Sequence, residues 1–122
     1  MTVSQLITKI REEKPNSFTD SKLYGFINEI EAEVAEQLGE EPERYSYTSA
    51  SVNDGDEELM APSPYDRLYE SWMKAKIDYA NEEYDSYSNN QAQHIQDFRD
   101  FTDYVIRADL RDKKIIRIIN TM

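Results

Sequence analysis

Apolar residues recur at steps of three and four along most of this chain. Val3, Leu6, Ile7 and Ile10 line one face of a short helix over residues 3–13, which Pro15 ends. Thr19 or Asp20 can cap a second helix with the stripe Leu23, Phe26, Ile27, Ile30, Val34 and Leu38, and Gly39 supplies its stop. Glu29, Glu31, Glu33 and Glu36 fall off that stripe, as a solvated face would. The pattern changes after Glu40. Two short extended runs around the Asp-Gly turn in NDGD predict a hairpin or a Ser-rich loop. Ser63 then caps a third helix, with Pro64 at its first position, running to about Ser88. Asn89 and Asn90 make a break, and a fourth helix from about Gln91 to Arg107 carries Ile95, Phe98, Phe101, Thr102 and Val105. The expected fold is mainly α: a small four-helix bundle-like domain over 1–107, a short β-hairpin or loop between helices 2 and 3, and an extended C-terminal tail over 108–122.

The third helix carries two apolar rows. Tyr65, Leu68, Trp72, Ala75 and Tyr79 form one; Tyr69, Met73 and Ala80 lie beside them. Five of the nine tyrosines and the sole tryptophan fall between Pro62 and Asn89, which makes this face too wide for a single neighbour. It fits the centre of a bundle, with tyrosine hydroxyls kept wet at its margin, and it also fits a protein interface. The core expected from these stripes comprises Leu23, Phe26, Ile27, Ile30, Leu68, Trp72, Tyr79, Ile95, Phe98 and Val105.

Composition narrows the function more than it defines it. A chain of 122 residues suits one domain. It has no cysteine, so neither a disulfide framework nor a thiolate zinc site is available. The N-terminus lacks the pattern of a signal peptide and no run is apolar enough to span a membrane, so the expected place of synthesis is a cytoplasm. Net charge is −11, which repels phosphates on average and argues against general nucleic-acid affinity. That charge is uneven. Residues 107–122 hold five cations against two carboxylates, a net of +3, and the remainder carries −14.

No chemistry-bearing constellation stands out. His94 is the only histidine and has no Glu three residues before it, so neither a zinc nor a di-iron site on helices is expected. NDGDEE at 53–58 offers calcium-type oxygens, but its glycine is misplaced for an EF-hand and a turn explains it. Asp78, Glu82, Glu83 and Asp85 are carboxylates without substrate-binding groups around them, and no Gly-x-Ser-x-Gly nucleophile motif is present. No catalytic, cofactor-binding or metal-ligating residue is expected, and no cofactor.

The run Leu59, Ala61, Pro62, Pro64, Tyr65, Leu68, Tyr69, then Lys76, Ile77, Asp78, then Glu82, Glu83, Tyr87 and Asn89 resembles the core pattern of tailed-bacteriophage head–tail connector (adaptor, or neck) proteins. FINEIEAEV at 26–34 is similar to that family's second helix, and FRDFTDYVIR at 98–107 to its phenylalanine-rich helix. The likeness spans about residues 18–107, and the tail departs from it most. It implies a non-enzymatic virion protein at the head–tail junction. Such a protein binds below the portal protein, forms a ring of about twelve copies of itself, and offers a platform to the next neck, stopper or tail protein. DNA would pass through the channel without specific binding, and an acidic wall lets a duplex slide. No membrane partner is implied. In the family reading Glu83, Tyr87 and Asn89 fix the turn into the fourth helix. The alternative from a different class is an acidic DNA-mimic inhibitor of a nucleic-acid-processing enzyme.

The tail, KKIIRIIN at 113–120, sets four isoleucines among cations. β-Branching suits a strand, and such a run left bare invites aggregation, so it should be covered. Either it folds back on its own bundle, or it docks on the acidic body of a neighbouring copy or on the portal. In the second case Arg111, Lys113, Lys114, Ile115, Ile116, Arg117, Ile118 and Ile119 form the candidate interface.

Overall fold

A computed structural model describes residues 1–41 and 57–120, with side chains as far as Asp109. The described residues are mainly helical and form four helices: α1 (Val3–Glu13), α2 (Asp20–Gln37), α3 (Arg67–Ala80) and α4 (Tyr84–Asn120). Most of the expected hairpin falls on 42–56, outside the described residues. An antiparallel bridge joins Thr2 to Glu58, where the Val3 N–H donates to the Glu57 carbonyl at 2.9 Å and the Leu59 N–H to that of Met1 at 3.0 Å.

The caps explain where the first two helices begin and end. Thr2 and Gln5 form a reciprocal capping box on α1, with bonds of 2.9 and 3.1 Å. Thr19 accepts the Lys22 N–H at 3.2 Å and starts α2. Gly39, at φ 74°, closes α2: its N–H reaches the Glu36 carbonyl at 3.2 Å, and the Glu40 N–H reaches that of Ala35 at 2.9 Å.

The expected boundaries of the third and fourth helices need correction. Ser63 and Pro64 lie outside α3, in a turn closed by the Tyr65 N–H on the Pro62 carbonyl at 2.8 Å, and the helix begins at Arg67. It stops at Ala80, well before Asn89. The Glu83 N–H bonds the Asp78 carbonyl at 2.9 Å and the Glu82 N–H that of Tyr79 at 3.2 Å, the same paired closure that Gly39 gives α2. Here the left-handed residue is Glu82, at φ 60°. With no glycine at this stop, the sequence carries no mark of it. Glu82→Gly is expected to stabilise the fold by about 0.5–1 kcal/mol, since relief of the left-handed Cβ strain exceeds the added freedom of the unfolded chain. A urea midpoint lower than the parent's would contradict this.

Asn89 and Asn90 therefore lie inside α4, which starts at Tyr84 and passes residue 107 without a break. The backbone of 113–120, where β-branching favoured a strand, is helical to Asn120. At 1.5 Å per residue, α4 is about 55 Å long against roughly 27 Å for α2 and 21 Å for α3, so it outlasts its partners.

The core joins Val3, Leu6, Ile7 and Ile10 of α1 to the α2 stripe, to Leu59 and Ala61, to Leu68, Tyr69, Met73 and Ile77 of α3, and to Phe101 of α4. Leu23, Phe26, Ile27, Ile30 and Leu68 are buried as expected. Trp72, Phe98 and Val105 sit at its margin, partly buried. Tyr79 and Ile95 do not belong to it, being 61% and 51% exposed. On α3 the inward row is Tyr69–Met73–Ile77, and Tyr79, two positions past Ile77, faces nearly the opposite way. On α4 the buried positions are His94, Asp97 and Phe101, so the helix is turned one residue from the apolar stripe and Ile95 is carried outward.

Polar groups also lie inside the bundle. Glu31, expected on the solvated face, is fully buried. Its carboxylate accepts the Tyr69 hydroxyl at 2.6 Å and the Met60 N–H at 3.1 Å, while the Tyr69 oxygen accepts the Ala61 N–H at 2.9 Å. The segment at 60–61 is thereby tied to α2 and α3. Ile27, Glu31 and Ala35, spaced by four, are all buried.

Candidate interaction surface

Folding brings a serine, a histidine and an aspartate together. Ser71, His94 and Asp97 are all buried between α3 and α4. Ser71 donates its hydroxyl to Asp97 Oδ2 at 3.0 Å, and Gln93 and Arg67 hold Oδ1 at 2.9 and 3.3 Å. His94 Nδ1 faces the Leu68 carbonyl at 3.0 Å, an acceptor that places the ring proton on Nδ1. In a nucleophile relay the aspartate orients the histidine and the histidine deprotonates the serine. Here the aspartate accepts the serine's hydrogen bond, and Ser71 Oγ lies 3.4 Å from the same nitrogen that serves the carbonyl. The cluster locks α4 onto α3.

Burial pushes the His94 imidazole below its ordinary value of 6.5, against the opposing pulls of the Leu68 carbonyl and the Asp97 charge. The sign follows directly. Unfolded histidine takes up its proton near 6.5, before folded His94 does, so stability present above that pH is lost as pH falls toward the folded value. His94→Gln should flatten the stability–pH curve just below pH 6.5; an unchanged slope in urea titrations would refute this.

A second buried group governs the turn between α3 and α4. Asp78 is fully buried, pairs with Lys14 at the end of α1, and accepts Ser86 Oγ and Asn90 Nδ2 at 2.7 Å each. Burial alone would raise its carboxyl; the hydrogen bonds from Lys14, Ser86 and Asn90 and the Lys14 charge outweigh it and hold the group below its ordinary value. The turn is therefore held by the side chains of Asp78, Ser86 and Asn90 together with Glu83, whose N–H bonds the Asp78 carbonyl at 2.9 Å, whose carbonyl accepts the Tyr87 N–H at 2.8 Å and whose carboxylate lies 3.6 Å from Lys14; no bond from Asn89 contributes among those described. Glu83 and Asn89 are exposed.

An uncovered aromatic feature lies nearby. Tyr79 stands against Tyr87 and Tyr84, with ring centroids 5.3 and 6.3 Å away. Trp72 donates its indole N–H to the Phe26 carbonyl at 2.9 Å, packs on His94 at 5.1 Å and carries Lys76 over its other side at 4.5 Å. Two hollows of about 400 and 390 Å³ meet at Trp72 and Gln91. One lies among Trp72, Lys76, Tyr79 and Tyr87; the other continues between Glu33 and Glu36 of α2 and Ile95 and Phe98 of α4. Together they form one groove with an aromatic and aliphatic floor and an acidic rim. Burial and the neighbouring Glu36 push the Glu33 carboxyl up, Lys76 draws it down, and Glu29 adds to the rise. Lys76 is already engaged with Glu29 at 3.4 Å.

Arg111, Lys113, Lys114, Ile115, Ile116, Arg117, Ile118 and Ile119 lie on the last turns of α4, where the structure describes backbone but not side chains. Most of NDGDEE lies outside the described residues. Among the described residues, no group of three or more histidines, aspartates or glutamates is placed to hold a metal ion, and no helix is long and apolar enough to cross a membrane. The chain matches no family model, no curated protein and no solved structure.

Proposed function

We propose that this protein is a head–tail connector of a tailed bacteriophage: a small helical subunit that binds below the portal, closes into a ring that extends the DNA exit channel, and presents a platform to the next neck or tail protein. The observation that carries the reading is the uncovered aromatic groove on an otherwise acidic helical body. A lone subunit leaves Tyr79, Tyr84 and Ile95 more than half exposed on one side. Tyrosine, tryptophan and neighbouring apolar groups in a shared hollow are the composition of a protein–protein contact. Of the residues that carry the resemblance, Lys76 and Tyr87 line the groove, Leu68 and Tyr69 lie in the first turn of α3, and Asp78 anchors that helix's end. The motif's Asp78 and Tyr69 are thus the polar keystones of the fold.

The net charge of −11 fits a channel wall that repels DNA, and it also opposes assembly, so local attraction between copies has to offset it. The reading assigns no catalytic residue. It is tested by sedimentation of the chain with the portal protein encoded beside it. Co-sedimentation of a ring with the portal supports the connector. A chain that ignores the portal and binds a basic nucleic-acid enzyme in equal proportion would replace it with the DNA-mimic alternative.

A further inference from the structure

We propose that the groove between α2, α3 and α4 is the receptor for the basic, isoleucine-rich end of α4 from a second copy of this chain. The inference rests on the connector reading for the need to form a ring; it adds which surface receives which segment.

The occupant follows from length, charge and apolarity. Ile95 lines the groove and Ile115 is the first of the isoleucine run; both lie on one continuous helix. Twenty residues of α-helix separate them by about 30 Å. While α4 stays helical, its end cannot return to the groove that its own earlier turns line, so a fold-back onto that groove is excluded. Another copy's end has no such restriction. The rim presents Glu33 and Glu36, both exposed, while Arg111, Lys113, Lys114 and Arg117 accompany the isoleucines. Along a helix Ile115, Ile118 and Ile119 follow the three- and four-residue steps by which an amphipathic helix enters an apolar groove. The floor of Trp72, Ile95 and Phe98 supplies the apolar counterpart.

Donor and receptor are different surfaces of the same molecule. The contact is therefore heterologous: each copy gives one helix end and receives another, and such contacts propagate into a ring when the rotation closes. Charge sets the direction and the salt dependence, and the isoleucines resist dissociation.

The test is a charge swap in the full-length chain, read by sedimentation velocity at low salt up to about 100 μM, a range that detects weak association. The parent is expected to associate. Glu33→Lys with Glu36→Lys is expected to weaken association about tenfold or more, as is Lys113→Glu with Lys114→Glu and Arg117→Glu. The combined five-residue variant is expected to recover most of the parent's association. Circular dichroism on every variant confirms the fold. A parent that stays monomeric, a groove variant that associates like the parent, or a combined variant that fails to recover overturns the inference. The connector reading is judged separately. Charge variants that still form rings on a portal sink the groove assignment and leave the connector standing, whereas charge-dependent oligomers that never bind a portal do the reverse.

Discussion

Replacing Phe101 by alanine is expected to lower the free energy of unfolding by about 3–5 kcal/mol, a large share of what a domain of this size possesses. Phe101 is fully buried and is the one apolar α4 residue in the core proper among the described residues. It meets Phe98 edge-on, with centroids 6.1 Å apart. Removing its ring leaves a cavity where α4 contacts the rest of the bundle, beside Phe98, which is itself held between Phe101 and His94. Trp72→Ala provides the contrast. The hydrophobic rows alone place Trp72 at the centre of the core, with a comparable cost expected. In the fold it is partly buried beside an open groove and anchored by one indole hydrogen bond. Its loss should therefore cost clearly less than that of Phe101. Urea unfolding of both variants checks the order, and a larger loss at Trp72 would contradict the packing described.

Asp78→Ala is expected to cost about 2–4 kcal/mol, because it removes the buried carboxylate on which an ion pair and two hydrogen bonds converge. Lys14 loses its nearer counter-charge and is left with Glu83 at 3.6 Å, and Ser86 and Asn90 lose their acceptor. Three helices meet at this carboxylate: the end of α1, the last turn of α3 and the first turns of α4. Its folded pKa lies below the ordinary value, so its contribution is fully present above about pH 4 and is lost as pH falls through the folded value. The parent should therefore show an acid limb of instability that is shallower in Asp78→Ala. Equal acid limbs in the two proteins would remove Asp78 from the account.

The parts of this architecture legible in the sequence are those with a local cause. Thr19 and Gly39 mark helix ends by their own chemistry, and the stripes of α1 and α2 bury the residues that their spacing indicates except Leu38, which follows the last helical residue and is 37% exposed. Where the cause is not local, spacing misleads. The end of α3 depends on Glu82 taking a left-handed conformation that side chains rarely adopt, so the Asn89–Asn90 pair looked like the break. The facing side of α4 is chosen by hydrogen bonds that Ser71 and the Leu68 carbonyl offer to Asp97 and His94, and a hydrophobic pattern gives no account of those. Glu31 shows the same limit: a carboxylate reads as solvated until Tyr69 and the Met60 N–H are placed beside it. For the candidate surface, the excess width of the aromatic face on α3 was visible in the rows. Which part of it stays bare, the strip from Tyr79 to Ile95, depended on how α4 is rotated against α3.

The connector reading is tested most directly by electron microscopy of the chain mixed with the portal protein from the same genome. The account predicts end-on class averages in which a second ring, about dodecameric in the manner of the resembling family, sits concentric with the portal and leaves an open central channel. Portal rings that remain bare at saturating concentrations of a folded chain would contradict it.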